Sequence, residues 1–219
     1  MFGVAALVAL AVLATSMVIS ASAAQESTFT AAEYPAFVSG GPTETKSIGI
    51  GFEGGQTAEC EFAGFAGQIT AATSELKVSP GFGGCTAFGS TEASVEAGGC
   101  ALVFHPGSGS GDEFTGTIDI ACPPGEAITV KGGNCEVQIG SQTGLGPVGY
   151  DRETAAEPAD VEASFSMSPT SGFAYTKTAA GSGCPLAGTG AKSDGVFTGA
   201  SKITAGNTET FEPIAFGIE

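Results

Sequence analysis

Beyond residue 24 the chain holds no stretch longer than about ten residues that keeps a helical 3.6-residue period free of Gly or Pro. Short alternating segments recur instead, bounded by clusters of Gly, Pro, Asn or Ser, which is the pattern of strands and turns. Strands are expected near Ser47–Glu53, Thr57–Phe62, Gln68–Thr73, Glu75–Ser79, Ala93–Glu96, Ala101–Phe104 and Phe114–Ala121. Further strands are expected near Ala127–Val130, Glu136–Ile139, Glu162–Ser168, Phe173–Thr178, Val196–Thr204 and Ile214–Ile218. The fold class is therefore all-β, an antiparallel, β-sandwich-like architecture. A charged fraction of 14% alongside 35 glycines fits a turn-rich β-protein. A disordered chain would need more charge and fewer β-formers.

The cysteines, Cys60, Cys85, Cys100, Cys122, Cys135 and Cys184, constrain the fold next. Between Cys100 and Cys122, the apolar run Ala101–Phe104 is followed by a Gly/Ser tract, Pro106–Gly111, and then by Phe114–Ile120. The tract is too flexible to hold a strand, so it is read as the loop of a hairpin whose ends bring Cys100 opposite Cys122. Six cysteines admit many pairings, and sequence alone does not choose among them. Given Cys100–Cys122, sequential pairing adds Cys60–Cys85 and Cys135–Cys184, each worth about 3–4 kcal/mol in the chain-entropy view. A closed zinc site would need close cysteine pairs, often with histidine; the nearest pair here is Cys122 and Cys135, and the chain has one His. Disulfides are the better reading.

They agree with the start of the chain. Phe2–Ile19 is apolar and uncharged, and Ala21-Ser22-Ala23 supplies the small residues that signal peptidase reads. Residues 1–23 are read as a signal peptide cleaved after Ala23, although no Lys or Arg precedes the apolar run. The competing reading is a retained anchor, since about 18 apolar residues just span a bilayer. The polar residues Gln25, Glu26, Ser27 and Thr28, without a basic stop-transfer cluster, favour cleavage. The expected location is secreted, extracellular or at the cell surface, where disulfides persist. Residues 24–46 are read as an N-terminal linker or peripheral strand and 47–219 as a single β-domain. Two β-subdomains split near 123 are the runner-up, and Asp151–Asp160 is a second candidate linker.

Charge and residue usage exclude more functions than they suggest. Seven basic residues against 23 acidic ones, a net −16, leave no surface to neutralise a phosphate backbone or an anionic membrane. Nucleic acid is therefore excluded as a partner, as is stable membrane insertion after cleavage. His105, beside the hairpin loop, is the one histidine, and no G-x-S-x-G elbow is present for a nucleophilic triad. No catalytic residue is assigned. Arg152 sits among Asp151, Glu153 and Glu157, where a solvated ion pair is expected. No cofactor is expected. Calcium would have to use Asp112-Glu113 or the set Asp151, Glu153, Glu157, Asp160 and Glu162, and neither forms an EF-hand loop. Phe-x-Gly recurs at Phe65, Phe114 and Phe197, which is read as shared strand chemistry.

At Gly84-Cys85-Thr86-Ala87-Phe88-Gly89, Gly98-Gly99-Cys100 with Ala101–Phe104, and Cys135-Glu136-Val137-Gln138-Ile139 with Gln142, the chain resembles exported cysteine-containing β-proteins of high-GC Gram-positive bacteria. The match runs from about Cys60 to Cys184, and Ala101 stands where a Tyr often follows. The resemblance implies export and a β-fold and no assigned activity. The expected role is an exported, disulfide-stabilised β-module that binds or supports structure outside the cell. A protein or carbohydrate at its surface is the candidate ligand, and a secreted glycosidase-like hydrolase using an Asp/Glu pair is the alternative.

Overall fold

The structure, a computed structural model, describes residues 27–43, 48–153, 158–166 and 172–219; the leader and its cleavage position, Ala23, lie outside the described residues. The fold is all-β and antiparallel, and three disulfides cross it. In chain order the strands are β1 (Phe29–Ala31), β2 (Ala36–Pro42), β3 (Gly49–Phe52), β4 (Gln56–Ile69), β5 (Leu76–Ala87) and β6 (Ser90–Glu96). Then come β7 (Ala101–His105), β8 (Gly109–Ser110), β9 (Glu113–Ala121), β10 (Ile128–Gly132), β11 (Cys135–Ile139) and β12 (Gln142–Glu153). The last are β13 (Asp160–Ser166), β14 (Phe173–Ala180), β15 (Gly190–Asn207), β16 (Pro213–Ile214) and β17 (Phe216–Ile218).

Strand pairing closes on itself twice. A first ring runs β3, β4, β5, β6, β10, β11, β14 and β15, and returns to β3 through Val196↔Gly51. A second ring runs β2, β4, β5, β7, β9, β12, β13 and β15, and returns to β2 through Ile203↔Gly40. The long strands β4, β5 and β15 belong to both, one half in each ring. Closure leaves these strands no unpaired edge of the kind that templates aggregation. Each ring joins strands from both sides of residue 123: β3–β6 with β10, β11, β14 and β15 in the first, and β2, β4, β5, β7 and β9 with β12, β13 and β15 in the second.

Inside the rings the alternating apolar residues meet. Phe52 contacts Phe88, Phe173 and Tyr175 in the first ring. In the second, Phe29 stacks on Phe216 and meets Tyr150 edge-on, and Phe104 links Tyr150 to Phe65. Phe29 and Phe216 come from the separate β1–β17 pair, in which Phe29 faces Ile218 in register. That pair supplies buried Phe29, Phe216 and Ile218 to the core.

The bridges are Cys60–Cys85, Cys100–Cys122 and Cys135–Cys184, with no free cysteine among the described residues. Cys60 and Cys85 face each other in register across β4 and β5. Cys100 and Cys122 stand just outside Ala101↔Ala121, the base of the β7–β9 hairpin. Cys135 opens β11 and holds Cys184 in the loop after β14. No helix among the described residues is long and apolar enough to cross a membrane.

Two stretches of the chain differ from their sequence reading. The segment expected as a linker or peripheral strand, 24–46, contains β2, which is paired on both sides by β15 and β4. The candidate linker 151–160 spans the end of β12 and the start of β13, two antiparallel neighbours paired through Glu153↔Asp160. Strand β12 itself carries Gly144, Gly146, Pro147 and Gly149, residues that read as breakers. The register shifts at Leu145 and Val148 show how they are accommodated, as irregularities inside a continuous strand.

Candidate functional site

Two places combine charge with burial. The first is at one end of the first ring. Along β14 the inward positions are Phe173, Tyr175 and Lys177, so strand alternation carries a lysine inward. Lys177 is 1% exposed and meets Glu53 Oε1 at 2.5 Å, on the turn between β3 and β4. It also donates to the Ala187 carbonyl, while the Ala187 N–H donates to Glu53 Oε1 at 3.1 Å. Lys192 holds the other Glu53 oxygen at 2.8 Å. The Tyr175 hydroxyl accepts from the Glu53 N–H and donates to Asp194 Oδ1, both at 3.0 Å. The Lys177 ammonium foremost, and then Lys192, hold the Glu53 carboxyl at about 2; burial pushes the Tyr175 phenol up to about 12. Leu186 is buried in the loop that Cys184 ties down. This is a satisfied polar closure.

The second place is a pocket of about 500 Å³ on the outer face of the second ring. Its floor is the outward face of β2 and β15: Phe37, Ser39, Lys202 and Thr204, with Ser39 Oγ and Thr204 Oγ1 3.3 Å apart. Its wall is the excursion from Asn207 to Ile214, which β16 pins back onto β15. Asn207 organises that excursion. Its side-chain oxygen accepts the Glu209 and Thr210 N–H groups, its carbonyl accepts from Phe211 N–H, and its amide donates to Glu33. The result presents Phe211 at φ 58° with 78% of its surface exposed. A left-handed phenylalanine in solvent is a conformation the fold imposes, at a cost of about 1–2 kcal/mol. Phe37, on the floor, is 40% exposed.

Asp160 also lines this pocket. Its Oδ2 meets Lys202 Nζ at 2.5 Å, while Oδ1 is buried without a donor from the protein. A buried acceptor left in that state costs about 1–3 kcal/mol. The Asp160 carboxylate raises the proton affinity of Lys202.

The remaining residues singled out in the sequence are dispersed. His105 Nε2 lies 3.1 Å from Asp119 Oδ2, and Asp119 Oδ1 accepts the Gly144 N–H at 2.7 Å, a link between β7, β9 and β12. Arg152 forks onto Asp112 Oδ1 at 3.0 and 2.8 Å and donates to the Ile218 carbonyl. Asp151 faces Glu162 in register, and Glu157 lies outside the described residues. Among the described residues no group of three or more His, Cys, Asp or Glu side chains is placed to hold a metal ion. A broad, open depression brings Glu61 and Glu92 together with Lys131.

Sequence reasoning did not find Phe37, Phe211, Glu53 or Lys177. The last had a signal: the alternation Phe173-x-Tyr175-x-Lys177 already puts a lysine on an inward face. Phe211 had none, because its exposure depends on an Asn-centred turn.

No protein-family profile, curated protein or solved structure matches the chain.

Proposed function

We propose that the protein is an exported, disulfide-stapled binding module whose ligand site is the pocket between β2, β15 and the 207–214 excursion. The observation that carries this reading is Phe211, held in a left-handed conformation and offered to solvent beside a pocket. Such strain is retained where it has a use, and a pocket with an apolar rim and a few polar groups is the usual form of a ligand site. Export is supported by the leader and by three bridges that an oxidising compartment sustains. The reading asks for no cofactor and no catalytic residue.

A fragment screen by ligand-observed NMR tests it, run on the disulfide-bonded protein and on Phe211→Ala. Fragments bound by the first and lost by the second support the site. A hit list identical for the two proteins removes it.

The hydrolase alternative has one observation in its favour, the shared placement of Glu61 and Glu92, since among the described residues the pocket itself is lined by one carboxylate, Asp160. Release of reducing ends from a glycan panel, lost in Glu61→Gln, decides for it.

A further inference from the structure

The pocket already holds one ammonium group, and the way it does so says what else it accepts. Asp160 is fixed: it is 5% exposed and opens β13, paired in register with Glu153 of β12. Lys202 is its opposite, a long side chain 52% exposed, with its charge on Asp160 Oδ2. The acid is therefore built in, and its cation sits on a flexible, half-solvated arm that can swing away. Asp160 Oδ1, buried and without a protein donor, leaves further accepting capacity on the same carboxylate.

The surroundings select by charge. Among the described residues Lys202 is the one basic residue lining the pocket. Glu162 faces Lys202 in register across β13 and β15, Glu33 is bonded to Asn207 at the foot of the excursion, and exposed Glu209 and Glu212 ride on it. The whole chain adds a net −16, which draws cations inward and repels anions. Phe37 on the floor and Phe211 on the wall are exposed aromatic rings, which attract an ammonium and cover methylene groups equally well. A neutral hydroxyl gains none of these terms and has to compete with Lys202 for the carboxylate.

We infer that this pocket binds an alkylammonium group, free or as the lysine side chain of a partner, which replaces Lys202 on Asp160 and packs its methylenes against Phe37, Phe211 and Ile214. Lys202 is then a resident stand-in that keeps the carboxylate compensated until the ligand arrives. The inference rests on the reading of this pocket as the ligand site.

The test is an NMR titration of the disulfide-bonded protein with butylammonium, Nα-acetyl-lysine methylamide, butanol and butyrate, read at the amides of Phe37, Asn207 and Ile214. Both ammonium probes are expected to shift these amides, and to do so less as ionic strength passes about 0.1 M, where exposed charges are screened. Lys202→Met is expected to tighten butylammonium by about threefold or more, because it removes the competing cation. Asp160→Asn is expected to abolish the response; if that variant loses its β-sheet circular dichroism, Lys202→Met decides alone. Preference for the capped lysine assigns the ligand to a partner's side chain, preference for butylammonium to a free amine, and both support the inference. Weaker butylammonium binding by Lys202→Met, or butanol binding as tightly as butylammonium, overturns it. If butanol alone shifts the pocket amides, the ammonium inference falls and the pocket stands; if no probe shifts them, both fall.

Discussion

Replacing Glu53 by Gln takes away the counter-charge of a lysine that cannot reach water. Lys177 is 1% exposed, and Glu53, itself 17% exposed, is the carboxylate that meets it. Breaking a fully buried pair by removing one partner costs about 3–5 kcal/mol. Because Glu53 keeps some contact with solvent, we expect a loss smaller than that range, about 2–3 kcal/mol. In a protein of this size each kcal/mol moves Tm by about 2–4 °C, so thermal unfolding followed by circular dichroism should show a loss of about 4–12 °C. Lys177→Met removes the buried charge along with the pair, while Glu53 keeps Lys192 and the Ala187 N–H. It should therefore cost less, within about 1–2 kcal/mol of the parent. The order of the two variants is the test, and Lys177→Met proving the more damaging refutes the reasoning. Acid supplies a second readout. The carboxyl of Glu53 titrates at about 2 in the folded protein against 4.5 ordinarily. Its contribution is thus fully present above the ordinary value and is lost as pH falls from there towards about 2. The stability difference between parent and Glu53→Gln should shrink over that interval, and parallel pH curves would contradict it.

Three further outcomes follow from the geometry. Unclipping Cys135–Cys184 with a double Ala substitution opens a loop of sequence separation 49, which is worth about 4 kcal/mol in the chain-entropy view. Denaturant unfolding measures that loss, and hydrogen exchange should show it concentrated around Leu186 and Lys177. Adjacent glycines in β2 should behave oppositely. A Cβ at Gly40 would lie 2.1 Å from the Phe65 ring, while one at Gly41 meets nothing within 4 Å. Gly40→Ala should cost about 1–3 kcal/mol by overpacking, and Gly41→Ala should leave the melting curve in place. Phe211→Gly should raise stability by about 1 kcal/mol, since it relieves a left-handed backbone and gives up an exposed ring. It should also lose whatever the pocket binds, and a variant less stable than the parent would count against the strain.

Most of the strands could be read because their side chains alternate: Phe173–Thr178 and Phe114–Ala121 show a two-residue period that needs no tertiary knowledge. The hairpin between Cys100 and Cys122 was equally local, although its Gly/Ser tract is not all loop: Gly109 and Ser110 pair with β9 as the short strand β8. Strands β2 and β12 were hidden for a shared physical reason. Their Gly-Gly-Pro and Gly-x-Gly-Pro runs look like turns, yet they lie between two neighbours whose hydrogen bonds hold them extended. Ring closure was not visible at all, because it depends on three strands long enough to serve two partners on the same side. The pocket was out of reach for a related reason. It joins Phe37, Asp160 and Phe211, distant in sequence, and Asp160 gains its meaning only when β13 lays it beside Lys202 of β15.

Cys60 and Cys85 sit directly opposite one another on two of the strands that both rings share. In a β-ladder a slip of one residue turns every side chain to the other face, so a misaligned β4–β5 pair would set Cys60 against Thr86 or Gly84. The bridge can close only when the alignment is the native one. Its oxidation therefore acts as a proofreading step: a single covalent bond certifies the alignment from which strand pairing in both halves of the molecule is counted.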